Sequence, residues 1–225
     1  MESRMTPQMA DALVAYMSRK RFGYFARYVK PRTEMTDFHR TYCEILDRFA
    51  RGQIRRVILS CQPQVGKSEF ASRLLPAYLL GLNPDLRIGV CSYSANLAST
   101  FNRDVQRIIA SDEYAALFPL TQIAKSRAIE GKCDYACNAT VTEVVGRNGG
   151  VRAVGRGGSL TGMPLDVAIL DDLYKDHAEA NSPLVRDLAW NWYTSVLRSR
   201  LSNGGRELIV FTRWHKDDII GRIED

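Results

Sequence analysis

The spacing of apolar and polar positions along the 225-residue chain changes several times, and each change marks an element. Residues 8–30 carry apolar side chains at helical intervals and predict one helix, broken near Lys30-Pro31, because the residue before a proline is pushed out of the helical region. Asp37 is placed to cap a second helix, from Phe38 to about Arg51, which Gly52 ends. Val57–Cys61 is a short continuous apolar run of the kind that becomes a buried parallel strand. Glu69–Leu80 reads as helix, Arg87–Tyr93 as a second strand and Ser94–Ala110 as a helix with a serine cap. This strand–helix–strand–helix order predicts an α/β fold with a mainly parallel central sheet flanked by helices.

The middle of the chain reads differently. Ala139–Val145 and Val151–Val154, joined by the glycine-rich stretch 146–150, predict a β-hairpin. Leu165–Leu170 predicts another buried strand, residues 183–201 a helix, and Glu207–Thr212 a final strand. There is no internal repeat, low-complexity tract or long linker.

Composition narrows the class. Hydrophobic residues make up 45% and charged residues 25%, a balance that excludes disordered and fibrous proteins. No apolar run approaches the roughly 18 residues that span a bilayer, and the start lacks the apolar core of a signal peptide. Five cysteines, an odd number, suit free thiols in a reducing compartment; Cys133 and Cys137 lack a second pair at zinc spacing. The net charge of +6 is uneven: residues 1–56 hold twelve Lys/Arg against six Asp/Glu, and the remainder is neutral. Residues 1–37 are therefore set apart as a basic helical segment ahead of a core over 38–225. Between Arg19 and Arg32 six basic residues meet no acid and alternate with Phe22, Tyr24, Phe25 and Tyr28. Such a stretch can follow a polyanion, or it can be an amphipathic helix with aromatics inward and charges in solvent.

Candidate chemistry begins at residues 61–68, Cys-Gln-Pro-Gln-Val-Gly-Lys-Ser. The phosphate-binding loop pattern G-x-x-x-x-G-K-[ST] lies between a strand and a helix, and here Gly66, Lys67 and Ser68 match while Cys61 replaces the first glycine. The loop from Gln62 through Pro63, Gln64, Val65 and Gly66 to Glu69 would turn amide groups onto phosphate oxygens at a helix N-terminus. In such loops the lysine reaches the β/γ-phosphates and the Ser68 hydroxyl is offered to Mg²⁺. About a hundred residues on, Asp171-Asp172 ends a strand. One acid can hold Mg²⁺ and the next can orient or deprotonate the attacking water. Together the motifs point to ATP hydrolysis.

A family resemblance follows from the ordered set Cys61–Glu69, Ser92–Ala98 with Phe101–Asp104, Gly155–Gly162, Asp171-Asp172 and Phe211–His215. It resembles the large terminase subunit of tailed double-stranded DNA bacteriophages, over roughly residues 38–225. The resemblance implies a P-loop NTPase domain of RecA-like (ASCE) type with ATP and Mg²⁺, Lys67 and Ser68 at the phosphates, and Asp171 on the metal. Asp172 takes the place usually given to a catalytic Glu. Thr212 falls on the family's coupling motif, and His39 sits where an adenine contact is often found; packing at a helix start is the other reading of His39. Implied partners are double-stranded DNA, a portal protein, a small terminase subunit and further copies in a ring, in the cytoplasm of an infected host. The family's C-terminal nuclease is not expected in these residues.

Gln62 and Gln64 leave the loop without the arginine many relatives carry. Arg156, in the glycine-rich stretch before the Asp171 strand, is nominated to neutralise the transferring phosphoryl group, from its own or a neighbouring subunit; Arg152 is the second choice. His215, Asp217 and Asp218 read as the start of a helix rather than a metal site. Two other functions fit the same motifs: a superfamily-2 helicase core, and a nucleotide-binding assembly module with little turnover.

Overall fold

A computed structural model describes residues 6–125, 134–160 and 162–225. The apolar runs become a six-stranded sheet: β1 (Arg56–Ser60), β2 (Arg87–Ser92), β3 (Val141–Glu143), β4 (Gly150–Gly155), β5 (Leu165–Asp171) and β6 (Leu201–Phe211). Their order is β1-β6-β5-β2-β4-β3, parallel except for the β3–β4 hairpin at one edge. The strand leading into the phosphate loop and the strand ending in Asp171 are thus not neighbours; β6 lies between them.

Parallel strands are apolar on both faces because helices cover both. On one face Ile88, Val90, Val167, Ile169, Leu208 and Val210 pack under α2 (Phe22–Val29), α3 (Asp37–Ala50), α4 (Leu75–Leu82), α5 (Ala95–Ile109) and α6 (Asp112–Leu117). On the other, Cys91, Ala168, Leu170, Ile209 and Phe211 pack under α7 (His177–Asn181), α8 (Pro183–Trp192) and α9 (Ile219–Glu224). A π-helical segment, Glu69–Leu74, joins the phosphate loop to α4.

Several expectations change. The single helix over 8–30 is two, α1 (Pro7–Lys20) and α2, because Arg21 is extended at φ −141°. The cause is tertiary: Asp47 of α3 accepts the Phe22 backbone N–H at 3.0 Å and pairs with the Arg21 guanidinium at 3.3 Å. The cap of α3 is Thr36, not Asp37, which lies in the first turn. The helix over 183–201 ends through a π turn and a 3₁₀ turn, and β6 begins at Leu201, earlier than its apolar run. The first hairpin strand is confined to Val141–Glu143.

In the basic segment Phe22 and Phe25 are buried against Tyr78 and Phe118, whereas Arg19, Lys20 and Arg27 are exposed. Cys43, Cys61 and Cys91 are free thiols, and Cys133 lies outside the described residues. No helix among the described residues is long and apolar enough to cross a membrane.

Candidate functional site

The C-terminal ends of β1, β5 and β6 deliver the motif residues to one edge of the sheet. After β1 the chain turns through Gln64 (φ 62°) and Gly66 (φ 79°), both left-handed. A side chain on Gly66 would also meet the His39 ring at 3.4 Å, so glycine suits both the turn and the space. The loop ends with Lys67 almost fully buried. Its ammonium pairs with Asp172 at 2.7 Å and also donates to the Thr212 hydroxyl. The Thr212 backbone N–H donates to the same Asp172 carboxylate at 2.8 Å. Lysine, aspartate and threonine therefore form a closed set of contacts drawn from three separate strand ends.

Strand alternation would aim Asp172 at the opposite face from Asp171. Instead Asp172 has φ 41°, which turns its carboxylate back to Lys67. Gln64 and Asp172 are the two non-glycine residues with positive φ among the described residues. Held in such a conformation, each costs of the order of 1–3 kcal/mol.

Asp171 belongs to a second group. It is 1% exposed, with Ser68 donating to Oδ1 at 3.1 Å and Ser72 to Oδ2 at 2.5 Å. Burial, only partly offset by the Ser72 hydroxyl and reinforced by neighbouring Asp172, raises its pKa to about 6. Among the described residues the carboxylate has no ion pair, and its hydrogen-bond partners are hydroxyls. Beside it, Ser92 of β2 stands in register with Asp171 and on the same face; its hydroxyl is fully buried and unpartnered among the described residues. An oxygen-rich, charge-deficient pocket fits Mg²⁺ with its retained waters.

A cavity of about 410 Å³ joins the two groups. Pro63, Gln64, Gly66, Lys67, Ser68 and Glu69 form one wall, and Asp171, Asp172 and Thr212 the floor; Arg73, Tyr93, Leu97, Phe101, Tyr174, Lys175 and Trp214 complete it. A groove of about 720 Å³ runs along the other side of the loop, between Val65, Gly66, Phe70 and residues 30–34. His39 faces this groove. Its Nδ1 accepts the Thr36 backbone N–H at 3.2 Å, so Nε2 carries the proton and donates to the Val65 carbonyl at 3.0 Å. Lys30 pairs with Glu69 across the groove.

Not every nominated residue is in the cavity. Gln62 is exposed and lines neither space. Arg156 donates to the Leu173 carbonyl at 2.7 Å and to Glu179 at 2.9 Å and is not among the residues lining the cavity. Arg152 lines a small cavity with Arg87 at the other end of the sheet. Asp218 caps α9, and Asp217 pairs with Arg186 and Arg222. Sequence reasoning missed Ser72, Tyr42, whose hydroxyl donates to the Lys67 carbonyl at 3.3 Å, and the ion pair of Arg73 with Asp104 at 2.7 Å. Ser72 had a usable signal, a hydroxyl one helical turn beyond Ser68.

Sheet order, phosphate loop and paired acids define the class as a RecA-like P-loop fold. Residues 58–221 match the family described as "Terminase large subunit, T4likevirus-type, N-terminal". The chain belongs to that family. Among solved structures it is similar to the large terminase of bacteriophage HK97, at 13% identity and a TM-score of 0.56. That likeness covers 93% of this chain and 39% of the HK97 chain. It is also similar to the ATPase domain of the Thermus phage P74-26 large terminase, at 24% identity and a TM-score of 0.47. There the match covers 70% of this chain and 59% of the other. No curated protein matches the chain.

Proposed function

We propose that this chain hydrolyses ATP with Mg²⁺ to drive double-stranded DNA into a phage procapsid. The observation that carries the reading is the convergence of Lys67, Asp172 and Thr212 beside the Ser68–Asp171 pair. Lys67 would exchange Asp172 for phosphate oxygens, which frees that carboxylate to orient a water. Thr212, one residue past the end of β6, would hold the same water and pass its loss on to that strand. Ser68 and Asp171 would hold Mg²⁺, which when bound neutralises charge on the phosphate oxygens. His39 ties the loop carbonyl to α3, and the adjoining groove would take the base.

Arg156 is assigned to a neighbouring subunit's site, because in its own chain Glu179 and Leu173 engage it. Its release from Glu179 is what that role requires. A ring of copies, a portal, a small terminase subunit and a host-cytoplasmic setting belong to the same proposal, as does the basic segment over 1–37 as a polyanion contact. DNA binding through it would weaken steeply with salt.

Single-turnover hydrolysis at high protein concentration, with double-stranded DNA and Mg²⁺, tests the reading. Wild type is expected to turn over and Asp172→Asn to fall by about 10²–10⁴. Equal, near-zero rates from both would replace the motor with a nucleotide-binding assembly module. Mixing Arg156→Ala with Asp172→Asn tests the finger: activity regained on mixing supports action between subunits, and none removes it.

A further inference from the structure

Asp171 is held from two sides by two serines that differ in where they stand. Ser68 lines the cavity together with Asp171 and donates to Oδ1. Ser72 is fully buried, is not among the residues lining the cavity, and donates to Oδ2 at 2.5 Å. Four residues apart, Ser68 at the N-cap of the π-helical segment and Ser72 within it, the two hydroxyls approach the same carboxylate. One oxygen is thus engaged from the protein interior, and the other is shared with the hydroxyl that faces the cavity.

We propose that Ser72 is a positioning residue that presents Asp171 to a divalent cation through one oxygen only, and so sets the preference of the site for Mg²⁺ over Ca²⁺. This rests on the nucleotide–metal reading above. The chemistry is a matter of coordination. Ca²⁺ takes six to eight oxygens and readily accepts both oxygens of a carboxylate, whereas Mg²⁺ demands octahedral geometry, keeps several waters and takes carboxylates singly. A carboxylate whose second oxygen is held by a buried hydroxyl cannot swing to offer both without breaking that bond. Removing the hydroxyl frees Oδ2, lets the carboxylate rotate about its Cβ–Cγ bond, and relaxes the discrimination. The role differs from that of Ser68, which stands in the cavity and is itself offered to the metal.

The test uses the full chain, a fluorescent ADP analogue, and separate titrations with Mg²⁺ and Ca²⁺. The readout is the ratio of half-saturating Ca²⁺ to half-saturating Mg²⁺, with no hydrolysis involved. In Ser72→Ala this ratio is expected to fall about tenfold, the lower end of what loss of a partner behind a metal ligand does. Metal-free ADP binding should stay where it was. Ser72→Cys, close in size with a weak donor, is expected to fall between wild type and Ala, and it carries the test should Ala fail to fold. A purely packing role would lower melting temperature and weaken both metals together; a ratio unchanged within twofold overturns the proposal. Wild type that binds no ADP with either metal would instead overturn the nucleotide reading itself.

Discussion

Asp166 and Asp171 sit at opposite ends of strand β5, and their surroundings are opposite too. Asp166 receives the Arg87 guanidinium on both oxygens, at 2.7 and 2.8 Å, together with the Arg87 backbone N–H and the Ser202 hydroxyl. Those bonds, the Arg87 side chain first, lower its pKa to about 2. Asp171 has hydroxyl partners but no ion pair among the described residues, and burial raises its pKa to about 6. One end of the strand is electrically complete. At the other, the nearby ammonium of Lys67 pairs with Asp172, and Asp171 has no ion pair among the described residues. The same strand thus separates a carboxylate paired with an arginine from one that is buried among hydroxyls.

The largest test of this contrast is turnover. Lys67→Ala and Asp172→Asn are expected to lose about 10²–10⁴ in rate, while Asp166→Asn stays within about twofold of wild type. Circular dichroism would check that all three fold. A loss in Asp166→Asn matching that in Asp172→Asn would erase the functional difference between the two ends.

Stability should move in opposite directions. In metal-free protein at pH 8, Asp171→Asn removes a buried charge and is expected to raise stability, by up to roughly 3 kcal/mol for a shift of about two pKa units. Calorimetry in chelator would show a higher melting temperature, and adding Mg²⁺ would narrow the gap by stabilising wild type alone. A lower melting temperature would mean that Asp171 is already compensated.

Asp166→Asn should instead destabilise, by about 1 kcal/mol once the solvent exposure of the pair is allowed for. The sign with pH follows from its depressed folded pKa. The stabilisation is complete above the unfolded value near 4 and drains away as pH falls towards 2. Urea unfolding of wild type and Asp166→Asn should therefore differ most at pH 6, with the gap shrinking to about half near pH 3. A gap as large at pH 3 as at pH 6 would assign the effect to packing rather than to the ion pair.

Much of this was legible in the sequence. The apolar runs of β1, β2 and β5 follow from burial between two helical layers, and the Gly66-Lys67-Ser68 and Asp171-Asp172 motifs are likewise local patterns at strand ends. What could not be read depends on partners far along the chain. The break at Arg21 is made by Asp47, and no proline or glycine at that position announces it. Residues 201–206 carry Gly204-Gly205 and look like loop, yet pair with β5 through a register shift. Arg156 looked available in a glycine-rich stretch, and only the fold shows Glu179 beside it.

The smallest prediction concerns strain. Gln64 and Asp172 both lie at the edge that carries Asp171, and among the described residues no other non-glycine side chain is held at positive φ. A side chain in the left-handed region costs roughly 1–2 kcal/mol, and a glycine gives back roughly 0.5–1 kcal/mol of that in unfolded-chain entropy. Gln64→Gly is therefore expected to gain about 0.5 kcal/mol, a rise of a degree or so by calorimetry. Its amide side chain is exposed and makes no hydrogen bond among the described residues, so nothing is lost with it. If Gln64→Gly gains stability and keeps its ADP affinity, the strain is a cost of the loop's path alone. If it gains stability and loses affinity, the fixed turn is part of how the loop is held ready for phosphate, and the strained end of the sheet differs from the relaxed end in backbone as well as in charge.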